Sequence, residues 1–143
     1  MTNLATRNGS TAPVAQFIQR NTEETLAELH RPIDPRHFKT RKQGNTTLTY
    51  VPWATLCKHL HHRAPGFCFE IQSVQEVGGS VVVTGRLSIP TTDSLLHYSA
   101  VSSEPLEGRV SHAPPTEVAA SSCLRRACAL AGLGLELWCE GGR

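Results

Sequence analysis

The chain has 143 residues, 39% hydrophobic and 18% charged, with a formal net charge of +2. That is long enough for one domain with a core and too short for two. Five cysteines in no tight framework read as reduced thiols, the N-terminus lacks the apolar core of a signal peptide, and no apolar run reaches a membrane span, so a soluble cytoplasmic protein is expected.

Residues 1–13 have the Asn, Thr, Ser, Gly, Ala and Pro character of a disordered tail, which leaves 14–143 as the domain. A helix is predicted from about Val14 or Thr22 to His30, with Ile18, Leu26 and Leu29 inward and Pro32 at its end. Arg36 to Tyr50 reads as a β-hairpin, with strands His37–Lys42 and Thr46–Val51 around Gln43-Gly44-Asn45. Alternation places Lys39 and Arg41 on one face of its first strand.

Pro52 opens a second helix, in which Trp53, Leu56, Cys57 and Leu60 recur as a core stripe. Thr55, Lys58, His59 and His62 fall on its other side, and Pro65-Gly66 stops it. Three strands follow: Phe67–Val77, Ser80–Ile89 after a Gly78-Gly79 turn, and Ser94–Ser102. Glu104 to Ala113 reads as a mobile loop. Pro114-Pro115 then precede a last helix, with Thr116 a candidate N-cap and Gly132 its stop. The order is helix, hairpin, helix, three-stranded meander, helix. It predicts an α+β domain whose antiparallel sheet carries helices on one face.

Charge is unevenly spread. Arg31, Arg36, Lys39, Arg41, Lys42, Lys58 and Arg63 crowd one stretch, opposed there only by Asp34, and His30, His37, His59, His61 and His62 can add to it. Such local excess favours a polyanion partner. In the last helix Ala120, Leu124, Ala127 and Ala131 recur at helical spacing, so one side can lie close to a sheet. Arg125 and Arg126, about 100° apart around the axis, present paired charge at its edge. A solvated pair is the ordinary reading of two such arginines; the basic stretch upstream weighs against it.

Three places carry a likeness. They are Tyr50-Val51-Pro52-Trp53 between hairpin and helix, Gly66-Phe67-Cys68-Phe69-Glu70-Ile71 in the strand that follows, and Ala119 to Ala127 with Gly132 downstream. In this order they resemble the Rad fifty-two superfamily of single-strand annealing proteins, including its bacterial DdrA-like branch. The last is similar to the family's Ala/Val-x-Asp-x-Leu-Lys-Arg-Ala helix. The likeness runs over roughly residues 22–138.

What the resemblance implies is a DNA groove with two walls. Arg125 and Arg126 match the basic pair that lines one; Lys39, Arg41 and Lys42 match the basic hairpin that forms the other. Beyond what the resemblance carries over, Lys58 and Arg86 are expected behind them as further phosphate contacts. Ser122 occupies the place of the family's Asp, and Thr55 lies near where some members carry a groove arginine, with Lys58 one turn on as a substitute. The resemblance also implies a homo-oligomer, commonly a ring, and a recombinase or single-strand-binding protein as a further partner. Because the sequence runs only a few residues past Trp138, the C-terminal regions that recruit recombinases in larger members are expected to be absent.

Binding single strands needs positive charge that tracks phosphates, and annealing needs the bases left available for pairing, so backbone contacts should dominate. The many arginines and lysines and few aromatics suit that balance. Phe67 and Phe69, two apart on a strand, offer a base-stacking platform, although buried core is the plainer role. A structural metal is the rival constellation, from Cys57 and His61 four apart on a helix with His59, His62 and Cys68 near by. Against it, Cys57 lies on the apolar stripe and no Cys-x-x-Cys pair exists. There is no phosphate-binding glycine loop, no Gly-x-Ser-x-Gly and no His-Glu-x-x-His. The expectation is therefore a non-enzymatic, nucleoid-associated protein without cofactors that binds and anneals single-stranded DNA in recombination or repair. The alternatives are a protective single-strand or DNA-end binder and a protein-interaction module of similar fold.

Overall fold

The computed structural model describes residues 18–108 and 113–139. The tail expected at 1–13 and residues 109–112 of the expected loop lie outside them. The described residues form the α+β arrangement that the patterning predicts.

Helix α1 (Thr22–His30) starts at a reciprocal cap: Asn21 Oδ1 accepts from the Glu24 amide at 2.8 Å, and Glu24 Oε1 accepts from the Asn21 amide at 2.9 Å. A 3-10 turn, Pro35–His37, follows, with Asp34 accepting from the Arg36 amide. The first hairpin strand consequently begins later than expected, because Pro35 favours a turn over a ladder position. Strands β1 (Lys39–Gln43) and β2 (Thr46–Tyr50) pair with Lys39 opposite Tyr50 and Arg41 opposite Leu48. They form a two-stranded sheet of their own.

Helix α2 (Trp53–Arg63) buries Leu56, Leu60 and Arg63. The expected stripe is corrected at its start, where Trp53 is 55% exposed; Cys57 is half-buried and packs on the core. The meander β3 (Cys68–Val77), β4 (Ser80–Pro90) and β5 (Leu95–Pro105) forms a second sheet in the order β3-β4-β5. Gly78 and Gly79, at φ 57° and 81°, make the two-residue turn whose twist suits an antiparallel pair. A register shift between Ile71 and Ser73 ends the simple alternation of β3 and leaves Ile71, Val74 and Val77 exposed. β5 runs three residues past its expected end, into the segment expected to be a loop.

Helix α3 (Pro115–Leu130) lies on one face of this sheet, over β4 and β5. The face beneath it carries Val81, Val83, Leu87 and Ile89, and the helix contributes Ala119, Cys123, Leu124 and Ala127, all buried. Approach is tightest at Gly85, where a Cβ would meet the Phe69 ring at 2.7 Å and Cys123 Sγ at 3.0 Å. Small residues on helix and strand together set this close packing.

The two shorter helices lock each other's ends. Buried Arg63 donates from Nη1 to the carbonyls of Glu28 (3.2 Å), in the last turn of α1, and Arg31 (2.6 Å), just past it. Arg20 donates in turn to the Arg63 carbonyl at 3.0 Å, at the end of α2. Both contacts satisfy terminal carbonyls that a helix leaves open.

Candidate nucleic-acid interface

The hairpin and α3 approach one another at a cavity of about 270 Å³. Arg41, Leu48, Thr49 and Tyr50 line it from the hairpin, and Ser122, Arg125 and Arg126 from α3. Leu133, Leu137 and Trp138 close its C-terminal side, and Glu104 reaches it from β5.

The hairpin register explains its wall. Residues directly opposite in an antiparallel pair share a face, so Lys39, Tyr50, Arg41 and Leu48 lie on one side of the ribbon and Lys42 and Thr47 on the other. Arg41 and Tyr50 are diagonal neighbours there, with Arg41 Cζ 5.5 Å from the ring centroid. Arg125 Cζ, from α3, lies 5.4 Å from the same centroid. Arg126 Cζ lies 5.1 Å from the ring of Trp138. All three distances fall within cation–π range.

Arg125 is half-buried and Arg126 exposed. Burial, and then the nearby Arg41 charge, hold the Arg125 guanidinium below its ordinary pKa, but an arginine so shifted still carries its charge at neutral pH.

The expected site residues separate into two groups. Arg41, Arg125 and Arg126 meet at the cavity. Lys39 shares the ribbon face of Arg41 but does not line the cavity, and Lys42 is on the opposite face. Lys58 is exposed on α2, outside the cavity lining. Arg86 alternates with the buried residues of β4, so it projects from the sheet face away from α3, where it pairs with Glu70 at 3.3 Å. The basic stretch is also less available than its composition suggests. Arg63 is buried in its capping role, while Arg31 pairs with Glu28 and Arg36 with Asp34, each at 2.9 Å.

Sequence reasoning missed Tyr50 and Trp138 as partners of the arginines. The pairing of Lys39 with Tyr50 follows from a two-residue Gly44-Asn45 turn, so the register could have revealed Tyr50. Trp138 follows the last helix through a 3-10 turn, Leu135–Leu137, and nothing in its spacing points to Arg126. The phenylalanine platform does not form: Phe67 packs edge-on against His61 at 4.9 Å, and half-buried Phe69 packs on the core.

Among the described residues no three His, Cys, Asp or Glu side chains are grouped to hold a metal ion. Burial raises the pKa of the Cys57, Cys123 and Cys128 thiols. Among the described residues no helix is long and apolar enough to cross a membrane.

Fold and site together define an α+β domain with a cationic, aromatic-lined groove between a separate hairpin and a helix. No family model matches the chain. Two plant proteins do. DNA repair RAD52-like protein 1, mitochondrial, of Arabidopsis thaliana is 27% identical over 125 residues, covering 86% of this chain and 70% of that one. DNA repair RAD52-like protein 2, chloroplastic, of the same plant is 31% identical over 127 residues, covering 86% of this chain and 63% of that one. Over most of its length the chain is thus similar to RAD52-like proteins, a likeness that supports Rad52 superfamily membership. A solved SnoaL-like polyketide cyclase from Jannaschia sp. overlays with a TM-score of 0.28 at 16% identity, over 61% of this chain and 77% of that one, too loose a likeness to carry an argument.

Proposed function

We propose that the protein binds single-stranded DNA by its phosphate backbone in the groove between the hairpin and α3, and anneals complementary strands in DNA recombination and repair at the nucleoid. The observation that carries this reading is the convergence of Arg41, Arg125 and Arg126 on one cavity from two separate elements. Three guanidiniums there make a track for phosphates, whereas a base-reading site would need hydrogen-bonding side chains aimed at base edges. Similarity to two RAD52-like proteins that are named for DNA repair agrees with it. The chemistry required is positioning and charge neutralisation, so no catalytic group is invoked.

The same reading includes a ring of protomers that joins successive grooves. Its support is the pair of sheet edges, β3 and β5, which carry different exposed apolar residues: Ile71 and Val74 on one, Val101 beside Leu130 of α3 on the other. Two unlike patches suit a head-to-tail contact, and such contacts close into rings when the rotation allows.

Binding and annealing are tested together, with a labelled oligothymidylate in fluorescence anisotropy and a fluorophore–quencher pair of complementary oligonucleotides. Binding with accelerated annealing supports the proposal. Binding without annealing would indicate a protective binder, and no salt-sensitive binding would indicate a protein-interaction module.

A further inference from the structure

Arg41 and Arg125 are brought together from elements that no backbone ladder connects. Among the described residues β1 is hydrogen-bonded only to β2, and α3 packs on the other sheet. Their charges oppose the meeting, and the Arg41 charge is one cause of the lowered Arg125 pKa. The Tyr50 ring lies beside both, with its centroid 5.5 Å from Arg41 Cζ and 5.4 Å from Arg125 Cζ. We infer that Tyr50 is the positioning residue of the groove, seating the guanidiniums of both walls beside one ring so that they meet a single stretch of phosphate backbone. The inference rests on the function proposed above.

An aromatic ring suits this task better than a carboxylate would. A carboxylate attracts guanidinium groups but occupies their N–H donors and cancels their charge. A ring attracts through its π-electrons and leaves the planar fork of donors free for phosphate oxygens. Ordering two long side chains before the ligand arrives also removes part of the entropy that binding would otherwise cost. Tyr50 is half-buried and sits at the last position of β2, directly before Val51, which is buried in the core. The ring is thereby anchored to the body of the domain while it faces the groove.

The test compares the parent, Tyr50→Phe and Tyr50→Leu for binding a labelled oligothymidylate at several salt concentrations, with thermal unfolding of each. Phe keeps the ring and should bind within about twofold of the parent; Leu should unfold at the same temperature yet bind about tenfold more weakly. Its plot of log K against log salt should also be shallower by at least one contact, about 0.7. A merely structural role would not change that slope. A Leu variant that matches the parent overturns the inference alone, and so does a Phe variant as weak as Leu, which would shift the role to the hydroxyl. A parent that binds no oligonucleotide overturns the proposed function and this inference with it. Should the Leu variant not fold, the side-chain NMR resonances of Arg41 and Arg125 in the parent decide. Ring-current shifts upfield on both support the inference, and their absence on either overturns it.

Discussion

The Arg125 guanidinium lies 5.4 Å from the centre of the Tyr50 ring, a contact that spans from α3 to the second strand of the hairpin. Through it the helix that covers the main sheet and the ribbon that stands apart from that sheet become two sides of one groove. The arginine pair and the hairpin thus act on the same space.

Replacing Arg125 and Arg126 together by Ala should weaken oligonucleotide binding by about tenfold or more, since each charge-assisted phosphate contact contributes on the order of 1 kcal/mol or more. Packing of α3 is carried by Ala119, Cys123, Leu124 and Ala127, so the thermal midpoint should stay close to that of the parent. Anisotropy and a melting curve on the same preparation check both halves. A double variant that melts normally and binds undiminished contradicts the groove assignment.

The two faces of the hairpin should behave differently. Arg41 faces the cavity and Lys42 the opposite side, so Arg41→Glu should reduce affinity several-fold more than Lys42→Glu. The loss should be the same for oligonucleotides of any base composition, because phosphates carry no sequence information. Equal losses at the two positions would mean that the ribbon acts only through its total charge.

Gly132 should resist substitution. Its φ is 106°, and an added Cβ would meet the His30 ring at 2.5 Å while that ring is held by the Leu26 carbonyl at 2.8 Å. Gly132→Ala combines a left-handed backbone with an overfilled contact between the end of α1 and the segment after α3. A destabilisation of about 2–4 kcal/mol is expected in urea unfolding. A change below about 0.5 kcal/mol would show that the His30 ring moves aside freely.

Acidification should weaken the root of the hairpin. His37 Nδ1 and His59 Nε2 lie 3.3 Å apart, joining the turn before β1 to α2. Burial, followed by the charges of Arg63, His37, His62 and Arg31, lowers the His59 pKa below 6.5. Between the lowered folded value and the unfolded value of about 6.5, the unfolded chain binds more protons, so stability rises with pH there and is lost as pH falls through the folded value. His59→Gln should flatten that part of the profile in denaturant titrations. An unchanged slope would assign the acid sensitivity to other groups.

Much of the fold was legible because its signals are local. Pro32 just beyond α1, the glycine pair between β3 and β4, and the alternation of β4 each act within a few residues. Trp53 was misplaced because helical spacing identifies a face but does not show how far the covering layer extends. Arg63 and Arg86 looked available because composition counts charge without geometry. One is buried beneath α1, and the other lies on the far face of the sheet beside Glu70. The convergence of Arg41 with Arg125 was accessible only through family likeness, and Tyr50, the ring between them, only through the strand register. Arg126 meeting Trp138 depends on how the chain returns after α3, and no short-range pattern encodes that path.

The salt dependence of binding tests the central claim most directly. If Arg41, Arg125, Arg126 and a neighbouring lysine neutralise about three or four phosphates, log K for an oligonucleotide short enough for one protomer should fall against log salt with a slope of about −2 to −3. Measured by anisotropy over a series of salt concentrations, that slope is the expected result. A flat response would contradict the account, because a groove that releases no counterions does not hold a phosphate backbone.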